Sequence, residues 1–86
     1  MISEKFRNRY KERGTKVFDY KDLKLRIKKF FDTQEAFAEA MEMSLTALNQ
    51  RLNNVVPWKT PEIVKACELL EIALTEAHLY FFVLKV

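Results

Sequence analysis

The stretch TQEAFAEAMEMSLTALNQRL, residues 33–52, decides the fold of this 86-residue chain. Thr33 and Ser44 are residue types that accept hydrogen bonds from free N–H groups at the start of a helix. A helical pattern of apolar residues follows each of them, so the stretch predicts two capped helices with a turn at residues 42–44 between them. Two helices joined by so short a turn must cross steeply, which is the helix-turn-helix arrangement.

A small core is predicted beneath this crossing. Ala38 occupies the position where a large side chain would push the second helix of the domain away from the third. Larger apolar residues stand at the positions that can fill the space below. They are Phe37, Met41, Met43 and Leu48.

Three further helices are predicted outside this stretch. Apolar residues recur at helical spacing over residues 20–31, which forms the first helix. Thr60-Pro61-Glu62 combines an N-cap residue, a proline and an early acid, and so predicts a fourth helix that continues to about Leu70. Thr75 is the predicted cap of a short fifth helix over residues 76–80.

The composition agrees with this count of helices. Hydrophobic residues make up 49% of the chain, which has one glycine and two prolines, too few for the turns of an all-β fold. The prediction is a compact, all-α, five-helix domain over residues 17–86, with a short C-terminal strand as an optional addition.

Positive charge is concentrated at the N-terminal end. Residues 1–29 contain eleven Lys/Arg and four acids, whereas residues 30–86 contain four Lys/Arg and eight acids. Residues 1–16 are accordingly treated as a basic N-terminal segment with three alternatives: a minor-groove arm, an extra helix on a DNA backbone, or a solvated lead-in. We favour the helix because Ile2, Phe6 and Tyr10 are spaced four apart.

Several classes of protein are excluded by what the chain does not contain. No Ser/His/Asp set, carboxylate pair or Gly-rich phosphate loop is arranged for catalysis, so we expect no enzyme. His78 has no nearby Cys or His, and Cys67 is expected to be a small buried hydrophobe, so neither a metal nor a cofactor is predicted. A charged N-terminus, one cysteine and no membrane-length apolar run predict a cytoplasmic protein.

The central stretch resembles a known superfamily. The run TQEAFAEAMEMS at residues 33–44, followed by Leu48, resembles the helix-turn-helix of the lambda-repressor/Cro-like superfamily. The wider stretch 23–86, with FDTQ at 31–34, LNN at 52–54 and YFF at 80–82, resembles a small phage-encoded branch of it. The resemblance implies a five-helix domain whose third helix enters the DNA major groove, as in a repressor or a Cro-like regulator.

The chain departs from the superfamily pattern at four positions, one of which is Arg51, where many members have an aliphatic residue. Asp32, Glu42 and Glu71 stand where the superfamily typically has glycine. A residue other than glycine in the left-handed conformation costs about 1–2 kcal/mol.

The predicted DNA contacts follow from the position of the third helix. Its first turn projects outward from the Ser44 cap, and the next turn flanks the same face. The base-contacting candidates are Leu45, Thr46, Asn49 and Gln50. Asn and Gln can bond adenine bidentately, and Leu or Thr can meet a thymine methyl, so the expected partner is double-stranded DNA whose palindromic operator has A·T-containing half-sites.

Phosphate contacts are predicted around this face. Gln34 opens the second helix, where a side-chain amide beside free N–H groups can hold a phosphate. Arg51 either reaches the DNA backbone or pairs with an acid. The full set of phosphate candidates is Gln34, Ser44, Arg51, Asn53, Asn54 and Lys59.

The apolar C-terminal residues 79–86 must be buried. They either complete the core of the same chain, pairing as a strand with Val17-Phe18, or form a symmetric dimer interface. We favour a homodimer because reading a palindrome requires two copies. The predicted dimerisation residues are Phe81, Phe82, Val83 and Leu84.

The main functional prediction is a sequence-specific, phage-type transcriptional regulator. The alternative is a protein-interaction module, a phage inhibitor or antirepressor that keeps the helix-turn-helix shape and grips another protein. The acidic balance of residues 30–86 favours this alternative. A third possibility is a non-specific architectural DNA binder that uses the basic N-terminus alone.

Overall fold

The computed structural model describes residues 17–85, which form five α-helices and one short 3-10 helix. The helices are α1 (Lys21–Phe31), α2 (Gln34–Ala40), α3 (Leu45–Leu52), α4 (Thr60–Leu69) and α5 (His78–Phe81), with the 3-10 helix at Leu74–Glu76. The all-α, five-helix prediction is confirmed. The basic segment 1–16 lies outside the described residues, so its predicted helix or arm stays a prediction.

The starts of α2 and α3 match the sequence pattern. The Thr33 hydroxyl accepts a hydrogen bond from the Ala36 N–H at 3.1 Å, and the Ser44 hydroxyl accepts one from the Ala47 N–H at 3.0 Å. Each bond satisfies a backbone donor that a helix start leaves free.

Two other predicted helix starts were wrong. The N-cap of α4 is Lys59 rather than Thr60, and the Glu62 carboxylate accepts the Lys59 N–H at 3.0 Å. Thr75 lies inside the 3-10 helix and does not cap α5, which begins at His78. The chain turns earlier than predicted because the Glu76 N–H bonds to the Ala73 carbonyl at 2.8 Å.

One hydrophobic core joins the helices. Phe37, Ala38 and Leu48 are almost completely buried at the crossing of α2 and α3, and the Met43 N–H bonds to the Ala38 carbonyl at 3.0 Å. The small side chain at Ala38 permits this close approach, as the sequence predicted. The buried residues of the core are Tyr20, Leu23, Ile27, Phe37, Ala38, Met41, Leu48, Leu52, Ala66, Cys67, Leu70, Ile72, Ala77 and Phe81.

Four helices end in residues other than glycine with positive φ. Asp32, Glu42, Asn54 and Glu71 follow α1, α2, α3 and α4, with φ between 55° and 67°. Three of them are the acids that stand where the resembling superfamily has glycine. The chain therefore keeps the left-handed turns while giving up the residue best suited to them.

The C-terminal tail folds back on its own chain. Phe18 and Leu84 form an antiparallel bridge, in which the Asp19 N–H bonds to the Val83 carbonyl at 2.7 Å and the Lys85 N–H to the Val17 carbonyl at 2.9 Å. This is the intramolecular pairing with Val17-Phe18 that the sequence left as the less favoured option. The optional C-terminal strand is thus a single bridge among the described residues.

The tail is anchored by aromatic packing as well. Phe81 is 1% exposed and its ring meets Trp58 edge-on at 5.1 Å, while Phe82 meets Phe18 edge-on at 6.1 Å. Phe81 is therefore a core residue of its own chain, which corrects its assignment as a dimer contact. Phe82, Val83 and Leu84 remain exposed, so dimerisation through these three stays a prediction.

No helix within residues 17–85 is both long and apolar enough to cross a membrane.

Candidate recognition surfaces

The outer face of α3 presents the residues predicted to contact bases. Leu48 and Leu52 are buried on the inner face, so Leu45, Thr46 and Gln50 point to solvent. Asn49 is half-buried at the edge of this face. The structure therefore brings the four predicted base-contacting residues onto one side of one helix.

Arg51 is committed to an ion pair. Its Nε and Nη2 donate to the two carboxylate oxygens of Glu62, each at 2.9 Å, and its Nη1 donates to the Ala47 carbonyl at 2.9 Å. The hydrogen bond from Arg51 lowers the pKa of Glu62, and the same bond raises the pKa of Arg51. Of the two predicted roles, pairing with an acid is the one observed, and the phosphate contact of Arg51 stays a prediction.

Asn54 is also used within the chain. Its side-chain carbonyl accepts the Phe18 N–H at 2.8 Å, and its side-chain amide donates to the Phe18 carbonyl at 3.1 Å. The side chain thus pairs with Phe18 as a neighbouring strand would, and the phosphate contact predicted for it stays a prediction. Gln34 is half-buried, and the Ser44 hydroxyl is occupied as a cap. Asn53 and Lys59 are exposed, and their phosphate contacts stay predictions.

The charge around α2 and α3 is negative. Residues 34–52 contain three acids, Glu35, Glu39 and Glu42, and one cation, Arg51. Glu35 and Glu39 are exposed, and Glu42 pairs with Lys65 of α4, which lowers the pKa of Glu42 through a hydrogen bond. The exposed charge of residues 34–52 is therefore negative.

A second surface carries the cations instead. A groove of about 890 Å³ lies between α1, the C-terminal end of α3 and the segments paired at the Phe18–Leu84 bridge. Its charged lining residues are Lys21, Lys24, Lys28, Lys85 and Asp19. Exposed apolar side chains line it as well, with Val17 at 46% and Leu25 at 59% exposure. We refer to these lining residues together as the lysine groove.

Cys67 and His78 take the positions expected of them. Cys67 is 1% exposed in the core, where burial raises the pKa of its thiol. His78 is exposed at the start of α5. Within the part of the chain that the structure describes, no group of His, Cys, Asp or Glu is arranged to hold a metal ion.

The fold and these surfaces can be compared with known proteins. The model of DUF739, a family described as a protein of unknown function, matches residues 16–83. That match covers more than three quarters of the chain. The chain belongs to the DUF739 family. No curated protein matches it.

A solved structure resembles this DUF739 protein closely. It is the solution structure of the modulator of repression (MOR) of the temperate bacteriophage TP901-1 from Lactococcus lactis. The two sequences are 38% identical, the TM-score is 0.70, and the similarity covers 80% of this chain and 93% of MOR. The resemblance to a phage protein expected from the sequence is thereby supported, whereas membership of the lambda-repressor/Cro-like superfamily stays a prediction.

The lysine groove of the DUF739 protein was missed by the sequence analysis as a site. The sequence has an excess of positive charge in residues 1–29, but it does not indicate that Lys21, Lys24 and Lys28 line one groove. One signal could have pointed to it. Leu25 lies off the buried stripe of α1, which contains Leu23 and Ile27, and so places an apolar side chain among lysines.

Proposed function

We propose that this DUF739 protein is a modulator of phage repression that works by binding a regulatory protein. The observation that carries the proposal is its 38% identity to MOR, which extends over 93% of the MOR chain. Modulating repression requires a change in the amount of repressor bound at an operator. A protein achieves this either by binding the repressor or by competing for its DNA.

Charge favours the first of these routes. Binding to duplex DNA depends on Lys and Arg side chains that neutralise phosphates. The exposed acids Glu35 and Glu39 lie on α2, which packs against α3, and Arg51 is occupied by Glu62. A helix in the major groove lies within about 10 Å of phosphates, so uncompensated acids beside it oppose docking. The same acids suit contact with a protein surface that is itself basic.

The test is a titration of operator occupancy. The repressor encoded in the same phage genome is bound to its labelled operator, and the purified chain is added in increasing amounts at fixed salt. The proposal predicts that the repressor's operator binding changes with the amount of chain added, and that the chain alone leaves the operator unshifted. If the chain alone shifts the operator and the repressor's binding curve is unchanged apart from simple competition, protein binding is the wrong mechanism.

A second candidate is sequence-specific DNA reading by α3, favoured by the exposure of Leu45, Thr46 and Gln50 on one face. It requires a palindromic site with A·T pairs and a homodimer, for which the exposed Phe82, Val83 and Leu84 are the predicted contacts. Selection of bound duplexes from a random pool tests it. A palindrome recovered with wild type and lost with Asn49→Ala supports this reading, and recovery of no motif removes it.

A further inference from the structure

We propose that the lysine groove docks an acidic, amphipathic segment of a partner protein, in which Asp or Glu residues flank at least one large apolar side chain. The inference rests on the proposed function, and it adds the binding surface and the chemistry of the partner. It assigns this role to a surface other than the outer face of α3.

The charge of the groove favours an acidic partner. Four lysines and one aspartate line the groove. Asp19 is already engaged locally, because its Oδ1 accepts the Lys21 N–H at 3.0 Å. One groove lysine, Lys28, forms an ion pair with Asp32, with 3.5 Å between Nζ and Oδ1. Both side chains are more than 70% exposed, so water screens the pair. The groove therefore presents a net positive surface whose complement is acidic.

Three of the five other Lys/Arg in residues 17–85 are occupied elsewhere, and the remaining two, Lys29 and Lys59, lie outside the groove. Arg26 donates from Nε to the Leu70 carbonyl at 2.9 Å and from Nη2 to the Glu71 carbonyl at 2.8 Å. Arg51 is bound to Glu62, and Lys65 pairs with Glu42. These three cations hold helices together, whereas the groove lysines do not. The positive charge that is available for a partner is therefore concentrated at the groove.

Apolar exposure is the second argument, and it separates a protein segment from a nucleic acid. Leu25 is 59% exposed in the middle of α1 between Lys24 and Lys28, and Val17 is 46% exposed at the opposite wall. A phosphate backbone gains nothing from these side chains, but an apolar side chain inserted between them leaves water. The combination of lysines around exposed apolar residues suits an amphipathic segment with acids at its edges.

The groove walls are held in place before a partner arrives. Asn54 makes two hydrogen bonds to Phe18, and the Lys85 N–H bonds to the Val17 carbonyl at 2.9 Å. These contacts fix the N-terminal and C-terminal walls against the end of α3. A preformed groove binds without the entropic cost of first ordering its walls.

Charge also argues against the chain's own N-terminal segment as the occupant. Residues 1–16 contain six Lys/Arg and two Glu, so they have the same sign of charge as the groove. Like charges repel, which leaves an external acidic segment as the better complement.

The experiment is a selection from a library of displayed random peptides, about 12 residues long, on the full-length chain. Recovered peptides are then titrated by fluorescence anisotropy against wild type, the double variant Lys24→Glu/Lys28→Glu and the single variant Leu25→Asp. Lys29→Glu/Lys59→Glu is the matched charge control, because both lysines are exposed and lie outside the groove. Leu79→Asp, at a 49% exposed position of α5, is the matched apolar control.

We expect recovered peptides with net negative charge and at least one large apolar residue. We expect roughly tenfold weaker binding to the double lysine variant and to Leu25→Asp, with less than about twofold change for the two controls. Peptides without an acidic bias, or binding that the groove variants leave unchanged, would overturn the proposal.

Two other outcomes also overturn it. If a duplex of about 20 base pairs binds in a way that the lysine variants abolish and no peptide is recovered, the groove is a phosphate surface. If wild type sediments as a dimer and Lys24→Glu/Lys28→Glu as a monomer, the occupant is a second copy. The peptide selection uses no repressor. It can therefore fail while the operator titration succeeds, and the titration can fail while the selection succeeds.

Discussion

Arg51 and Glu62 join α3 to the first turn of α4 through two parallel hydrogen bonds of 2.9 Å. Removing the guanidinium leaves a half-buried carboxylate without its partner. We expect Arg51→Ala to lower the free energy of unfolding by about 1–3 kcal/mol, measured by urea denaturation. Gln50→Ala, at an exposed neighbouring position, is the control and is expected to change it by less than about 0.5 kcal/mol. Equal effects of the two variants would contradict a structural role for the pair.

The same carboxylate sets a dependence on pH. Arg51 lowers the pKa of Glu62 in the folded chain below its ordinary value of 4.5. A lowered folded-state pKa contributes stability that is fully present above the unfolded-state pKa and is lost as pH falls through the folded-state value. We therefore expect Glu62→Gln to flatten the loss of stability below about pH 4.5, measured by denaturation at a series of pH values. Glu68→Gln, at an exposed position of α4, is the control; the prediction fails if both variants flatten the curve equally.

At the scale of elements, the helix ends offer a direct test of backbone strain. Glu71 follows α4 with a φ of 55°, and Asn54 follows α3 with a φ of 64°. Replacing Glu71 by glycine removes a penalty of about 1 kcal/mol, so we expect Glu71→Gly to raise the unfolding free energy by about that amount. Asn54→Gly is the contrast, because it also deletes both side-chain bonds to Phe18 and is expected to destabilise the chain. Thermal melts of the two variants in opposite directions would support this account; a destabilised Glu71→Gly would contradict it.

The C-terminal tail makes a second prediction at this scale. Phe81 is buried in the core, whereas Phe82 and Leu84 are about half exposed. We expect Phe81→Ala to lower the unfolding free energy by about 3–5 kcal/mol, as for other buried aromatics. Phe82→Ser and Leu84→Ser, in contrast, test the predicted homodimer by analytical ultracentrifugation. A wild type that is monomeric at high concentration would remove the dimer prediction.

Local signals explain which elements could be predicted. Thr33 and Ser44 predict helix starts because an N-cap depends only on residues within one turn. The pairing of the tail depends on distant contacts. Asn54 and Phe18 are 36 positions apart, and no local pattern in the sequence specifies that they bond. Because the sequence does not specify such contacts, it led us to favour a homodimer over pairing of the C-terminal tail with its own chain.

At the scale of the whole molecule, the candidate sites were only partly predictable. The sequence placed Leu45, Thr46, Asn49 and Gln50 on one face of a helix, and the structure has them there. It could not show that Arg51 would be occupied by Glu62, which depends on how α4 packs. The lysine groove combines α1, the end of α3 and both ends of the described chain, so it exists only in the assembled fold.

Positive and negative side chains occupy separate surfaces of the folded chain. Four lysines lie at the groove, and the exposed acids Glu35 and Glu39 lie on α2. This distribution of charge and the similarity to MOR are the basis of the proposal that the chain binds a phage repressor.

The most direct test is isothermal titration of the purified chain into the repressor encoded in the same phage genome, in the absence of DNA. We expect saturable binding of the chain to the repressor, with a defined stoichiometry and without operator DNA. No heat of binding to the repressor, together with saturable binding of the chain alone to the operator duplex, would contradict it.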